Sequence, residues 1–216
     1  MISNNLKLRI LTSTILFFLI YLIYSFNYIL VYSLIILGVL SLLEFINISN
    51  KIIKKKLYLY IFNIIFVFYI FIFCIFFFIF SNILQLKIIL FAILIGCIFS
   101  DVGGFVFGKI FKGSKLTKIS PKKTRSGAYG SLIFTCLALS SFVFYFTNHF
   151  NFKIIIISTI TSIACQLGDL FFSFLKRKAN LKDTGNFLPG HGGVLDRLDG
   201  ILLGVPIGFI SLTLIY

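Results

Sequence analysis

Between Arg9 and Glu44 the chain runs through 34 residues, positions 10–43, without a single charge. As one helix this stretch would extend about 51 Å at ~1.5 Å per residue, against a hydrocarbon core of roughly 30 Å. It is too long for one membrane span and too apolar for a soluble core, so the chain must fold as a polytopic membrane protein. Tyr24, Ser25, Phe26, Asn27 and Tyr28 offer a place to turn, which gives spans near 10–25 and 28–48. Runs with little or no charge continue at 57–80, 83–100, 127–148, 154–175 and 195–216. The expected fold is all-α, a transmembrane bundle of about seven spans, with room for an extra half-helix near 101–112. Residues 1–56 form an N-terminal two-span region and 57–100 a middle two-span region. Residues 101–216 carry the polar motifs, on loops at 109–125 and 176–193.

The basic residues orient this bundle, because short loops rich in Lys and Arg stay cytoplasmic. With the N-terminus inside, eighteen of the twenty basic residues fall on one side, and only Lys87 and Lys153 on the other. The C-terminus is then outside. The N-terminal apolar run has no small-residue cleavage site, so no secretory signal is expected there. Cys74, Cys97, Cys136 and Cys165 occur singly within spans, which suits small apolar helix residues rather than a metal or redox site.

Acids are scarce, six against twenty bases, and five of them fall in 101–199: Asp101, Asp169, Asp183, Asp196 and Asp199. An intramembrane carboxylate is costly, about 2.5–3.5 kcal/mol on insertion scales, and normally faces a polar cavity where it meets a cation or metal. Asp169 lies about two turns before Lys176, with Gln166 and Gly168 extending a polar stripe. Asp196 and Asp199, spaced i, i+3, share a helix face and can hold one divalent ion, although acids in a first turn also favour the helix dipole. Before them runs Pro189, Gly190, His191, Gly192, Gly193, a turn whose exposed N–H groups ahead of a helix suit phosphate. His191 is either a structural residue or a participant in that turn. His149, in a short outer loop, reads as structural. Glu44 stands apart from these acids, and its sequence neighbours assign it no role.

Seven basic residues crowd positions 109–125, more than topology requires. They form either a belt for anionic headgroups or a wall for a polyanionic substrate. The turn Ser120, Pro121, Lys122, Lys123, Thr124 concentrates hydroxyls and ammonium groups that can contact several phosphate oxygens at once. Lys176, Arg177 and Lys182 stand similarly beside the acids. Lys51 to Lys56 and Lys178 read as topogenic. Nucleic acid is not an expected partner, since the charge is divided among short loops that leave no fold to read a groove.

The run Ser173, Phe174, Leu175, Lys176, Arg177, then Lys182, Asp183, Gly185, Leu188, Pro189, His191, Gly192, Gly193, Val194, Leu195, Asp196, Arg197, Leu198, Asp199 resembles the signature of the phosphatidate cytidylyltransferases, or CDP-diacylglycerol synthases. Ser120 to Thr124 with Gly127, the Asp101–Gly103 segment leading to Phe107, Gly108 and Lys109, and Leu6, Lys7, Arg9 with Glu44 are similar as well. The chain departs from the family pattern at Val102, Gly104, Phe105, Ser126 and Ser131. In the family an Ala–aromatic pair stands where this chain has Gly104 and Phe105, and a Gly where it has Ser131.

This resemblance implies transfer of CMP from CTP to phosphatidic acid, giving CDP-diacylglycerol and pyrophosphate, at the cytoplasmic side of a bacterial inner membrane. It implies Mg²⁺, with K⁺ as a second candidate cation, and a homodimer. In it the acids matching Asp169 and Asp196 are associated with metal binding, and Asp199 joins them as an expected ligand or a partner of one. Lys176, Lys182 and His191 join them as catalytic candidates in region 101–216. Ser120, Lys122, Lys123, Thr124, Arg177, Gly192, Gly193 and Arg197 are the expected phosphate-binding residues. The competing readings are a CTP-dependent lipid kinase of the dolichol or phytol kinase type and an ion-coupled transporter. A CDP-alcohol phosphotransferase would need an acid-rich signature that this sequence lacks.

Overall fold

The computed structural model describes residues 4–117, 120–121, 123–187 and 192–215. Lys118, Lys122, Leu188, Pro189, Gly190 and His191 lie outside the described residues, as do the side chains of 4–11, 13 and 147. The described residues form seven helices: α1 (Asn4–Ser25), α2 (Asn27–Ile52), α3 (Lys56–Ser81), α4 (Leu84–Ile110), α5 (Arg125–Thr147), α6 (Phe152–Lys178) and α7 (Leu195–Ile215). An isolated antiparallel bridge pairs Lys115 with Thr124. The protein is an all-α polytopic membrane protein.

Six of these helices, α2 to α7, are long and apolar enough to cross a membrane, and α1 adds the shorter apolar segment Thr14–Ser25. Phe26, in extended conformation at φ −126°, ψ 114°, makes the turn between α1 and α2. Asn82 caps α3 where polar residues interrupt the apolar run. The extra half-helix near 101–112 is not a separate element, because α4 continues without a break through Asp101 to Ile110. No proline interrupts that stretch, and its three glycines, Gly103, Gly104 and Gly108, are tolerated because they let α4 lie close to α5.

Two compact units are present, one of Met1–Ile83 with Leu175–Leu198, the other of Leu84–Phe174 with Asp199–Tyr216. In the first, α2 packs on α3 through Phe45, whose ring stacks 3.6 Å from that of Phe66, and through a 2.6 Å hydrogen bond from Ser49 Oγ to Asn63 Oδ1. Ile35, Val39, Ile64, Phe68, Phe71 and Ile72 stay exposed along the same two helices. In water such a face would drive aggregation; lipid satisfies it.

The second unit is held by small residues. Gly200, Gly204 and Gly208 recur every four residues on α7, and this stripe receives α6 and α4. A Cβ at Gly204 would come within 2.7 Å of Cys97 Sγ, and one at Gly208 within 2.9 Å of Ile93 Cγ2. Cys97 and Cys165 are both buried here, as small apolar residues. In lipid there is little hydrophobic drive between helices, so close packing of small residues becomes the main attraction. Ser100 and Ser162 add a buried hydroxyl contact of 3.2 Å between α4 and α6.

Candidate active site

The second unit contains a cavity of about 480 Å³ whose wall includes Asp101, Ser120, Lys123, Gln166, Asp169 and Ser173. Four segments contribute. The C-terminal half of α4 brings Asp101 and Lys109, the loop after it brings Ser120 and Lys123, the start of α5 brings Thr124 and Gly127, and α6 brings Asp169.

Glycine permits this convergence. A Cβ on Gly108 would stand 3.1 Å from Thr124 Oγ1, and one on Gly127 would stand 2.8 Å from the Gly104 carbonyl oxygen. Gly104 faces Ser131, whose Oγ would lie 2.7 Å from a Cβ added at 104. Gly104 and Ser131 are complementary across the α4–α5 contact, with the side chain on α5 and the space on α4. The Ser131 hydroxyl donates to the Ser100 carbonyl at 2.8 Å, so this buried polar atom is satisfied.

The loop between α4 and α5 reverses at Lys112 (φ 51°) and Gly113 (φ 104°). It closes through Leu116 N–H to Lys123 O at 2.8 Å and Arg125 N–H to Ser114 O at 3.0 Å. Ser126 donates to the Lys112 carbonyl. These bonds deliver the Lys123 ammonium to Asp169, with which it forms an ion pair. Asp169 Oδ1 also accepts from Ser173 Oγ at 3.3 Å. Thr124 serves as N-cap of α5, accepting from Gly127 N–H at 3.1 Å, while its residue still lines the cavity. Asp199 is buried on α7, and its Oδ1 accepts from the Gly200 N–H at 2.9 Å.

The other expected residues lie in the first unit. Asn180, in left-handed conformation at φ 55°, ends α6, and the Leu181 N–H returns to the Lys176 carbonyl at 2.8 Å. Lys176 Nζ is 2.6 Å from Asp196 Oδ1. Asp196 Oδ2 accepts from the N–H of Thr184 at 2.8 Å and of Gly193 at 3.0 Å. Both oxygens of Asp196 therefore hold protein donors, and the Gly193 N–H is engaged with this carboxylate. Gly192, at φ 84°, occupies a conformation that side-chain-bearing residues rarely adopt. A Cβ at Gly193 would overlap Thr184 Oγ1 and the Glu44 carboxylate. Arg177, Lys182, Asp183 and Arg197 are exposed.

Glu44 is the acid whose place the sequence left open. Its carboxylate, 1% exposed, accepts from Thr184 Oγ1 at 2.6 Å, Val194 N–H at 2.9 Å and Leu195 N–H at 2.9 Å. The only sequence signal was a carboxylate within an otherwise apolar span, which needs buried donors wherever they come from.

Among the described residues, no group of three or more His, Cys, Asp or Glu side chains stands ready to hold a metal ion. Mg²⁺ does not require one, since it keeps several waters and takes one or two carboxylates together with substrate phosphates. The oxygen donors of Asp101 and Asp169, beside Gln166 and Ser173 in one cavity, fit that demand.

The profile of the Cytidylyltransferase family matches residues 2–215, nearly the whole chain. The chain belongs to the cytidylyltransferase family. It is 46% identical over 125 residues to the phosphatidate cytidylyltransferase of Rickettsia felis, a match covering 52% of this chain and 54% of that protein. To the phosphatidate cytidylyltransferase of Helicobacter pylori it is 40% identical over 120 residues, 52% of this chain and 42% of that protein. To that of Mycobacterium leprae it is 36% identical over 126 residues, 58% of this chain and 40% of that protein. The match spans about half the length of the Rickettsia relative. Among the described residues of this chain, the cavity beside Asp169 and the segment held by Asp196 are two places where acids, bases and glycines gather.

Proposed function

We propose that this chain transfers CMP from CTP to phosphatidic acid, releasing pyrophosphate, at the cytoplasmic face of a bacterial inner membrane. The observation that carries the reading is the cavity in which Asp169, Asp101, Lys123 and Ser120 meet on a membrane-embedded scaffold. Three relatives that bear the name phosphatidate cytidylyltransferase support it.

In the proposed reaction a phosphate oxygen of phosphatidate attacks the α-phosphorus of CTP in line. A new P–O bond forms, the bond to the bridging α–β oxygen breaks, and that electron pair leaves with pyrophosphate. The attacking group is already an oxyanion, so no side chain has to remove a proton, and the protein's work is alignment and charge neutralisation. Lys123, Ser120 and Thr124 would contact phosphate oxygens from the cavity wall, and Lys122, outside the described residues, is proposed for the same role. Lys176, Arg177, Lys182, Arg197 and Gly192 are proposed for the same role on the α6–α7 connection, where the Gly193 N–H is already held by Asp196 and would have to exchange that partner for phosphate. Asp169, with Asp101 in the cavity wall, would hold Mg²⁺ in the second unit; Asp196 and Asp199 are proposed as further metal ligands, and K⁺ stands as a second cation. Mg²⁺, when bound, supplies neutralisation of the phosphate charge that grows on the leaving group.

The test is incubation of the purified protein in lipid with labelled CTP, Mg²⁺ and phosphatidate. The expected products are a CDP-lipid and pyrophosphate in equal amounts. Release of CDP with a phosphorylated lipid would replace this reading with a lipid kinase, and ion flux in proteoliposomes without CTP turnover would replace it with a transporter.

A further inference from the structure

We infer that Glu44 is a positioning residue for the proposed transfer, one that fixes the start of α7 and, through Thr184, the carboxylate of Asp196. This deepens the cytidylyltransferase reading above and rests on it for the effect on catalysis. Glu44 comes from α2, 140 residues before Thr184 and 151 before Leu195, yet its two oxygens accept from both. Oε1 takes the Val194 N–H, and Oε2 takes the Leu195 N–H and the Thr184 hydroxyl. The first N–H groups of a helix have no partner within it, so this carboxylate supplies the cap that α7 does not carry in its own sequence.

The same Thr184 hydroxyl lies 3.1 Å from Asp196 Oδ2. A hydroxyl has one proton, and at 2.6 Å against 3.1 Å Glu44 is the nearer acceptor. Glu44 therefore sets the rotamer of Thr184. Thr184 in turn gives its backbone N–H to Asp196 Oδ2 at 2.8 Å, beside the N–H of Gly193. Asp196 completes the chain by holding Lys176. Two carboxylates on different helices thus stitch residues 184 and 193–195 to one another, and the glycines at 185 and 193 leave just the room that the Glu44 carboxylate fills. The position needs two acceptor oxygens. Gln at 44 keeps the size but turns an NH₂ group toward backbone N–H donors.

The test uses the full chain in nanodiscs, with Glu44→Gln, Thr184→Val and the double variant. Amide hydrogen exchange, which needs no substrate, should rise at least tenfold at 193–196 in Glu44→Gln and stay unchanged in α3. In CMP transfer, Glu44→Gln and Thr184→Val should each raise the KM for CTP at least tenfold, and the double variant should be no worse than twofold beyond the stronger single. Unchanged exchange at 193–196 would overturn the inference. So would a rise spread equally over α3 with a lowered melting temperature, which marks general packing, or effects of the two substitutions that multiply. If the wild-type chain forms no CDP-lipid while exchange at 193–196 still responds to Glu44→Gln, the catalytic reading falls and the positioning of α7 stands.

Discussion

Lys176 Nζ lies 2.6 Å from Asp196 Oδ1 and ties the last turn of α6 to the first turn of α7. Both side chains are largely withdrawn from solvent, 13% and 8% exposed. Removing one partner of a buried ion pair costs about 3–5 kcal/mol, because the other charge is left behind. Lys176→Met should therefore lower the melting temperature, and, by removing a proposed phosphate contact, reduce CDP-lipid formation by about 100-fold or more. Asp196→Asn should lose several orders of magnitude in turnover. Thermal melting and product assays on both variants and their combination check this; fully additive losses would mean that the two residues do not act as a pair.

The pair of Lys123 with Asp169 should behave differently. These side chains are 25% and 29% exposed, and pairs of that kind contribute about 0–1 kcal/mol to stability. Asp169→Asn should then leave melting nearly unchanged while turnover falls by several orders of magnitude. Near-normal turnover would remove Asp169 from the catalytic assignment.

The complementarity of Gly104 and Ser131 can be tested by moving the bulk from α5 to α4. Gly104→Ala brings a Cβ toward Ser131 Oγ, at 2.7 Å in an unrelaxed backbone, and overpacking of this sort costs about 1–3 kcal/mol. Ser131→Gly in the same chain should restore most of the melting temperature lost. If Gly104→Ala is as destabilising with Gly at 131 as with Ser, the complementarity is not the cause.

Gly168 lies where α6 meets the backbone carbonyl of Asp199 on α7, and a Cβ there would overlap it. Backbone cannot turn aside as a side chain can. Gly168→Ala is expected to destabilise the second unit by about 1–3 kcal/mol, read as a lowered melting temperature in detergent.

Lys51 and Lys178 are exposed and serve as controls. Their replacement by Ala should change CDP-lipid formation by no more than about twofold, in keeping with the small effect of most surface substitutions. A tenfold loss at either would bring it into the substrate-binding surface.

The number and approximate limits of the helices were legible in the sequence because membrane crossing is a matter of length without charge, a one-dimensional property. The turns at Phe26 and Asn82 follow from local polarity, whereas the run without acids stops at Asp101 and α4 continues to Ile110, because a helix does not end where an apolar stretch does. The acids and bases that gather near residues 101–199 could likewise be picked out as costly in lipid. Their partners could not. Whether Thr124 caps α5, whether the Gly193 N–H meets Asp196, and why an acid stands at position 44 depend on hydrogen bonds between residues up to 151 apart. Such bonds form only after the helices pack, because a buried carboxylate takes whichever donors the fold brings to it. The sequence by itself determined a polytopic bundle, its family and the residues that need polar company; the tertiary structure decided which donors satisfy them and assigned Glu44 to the start of α7.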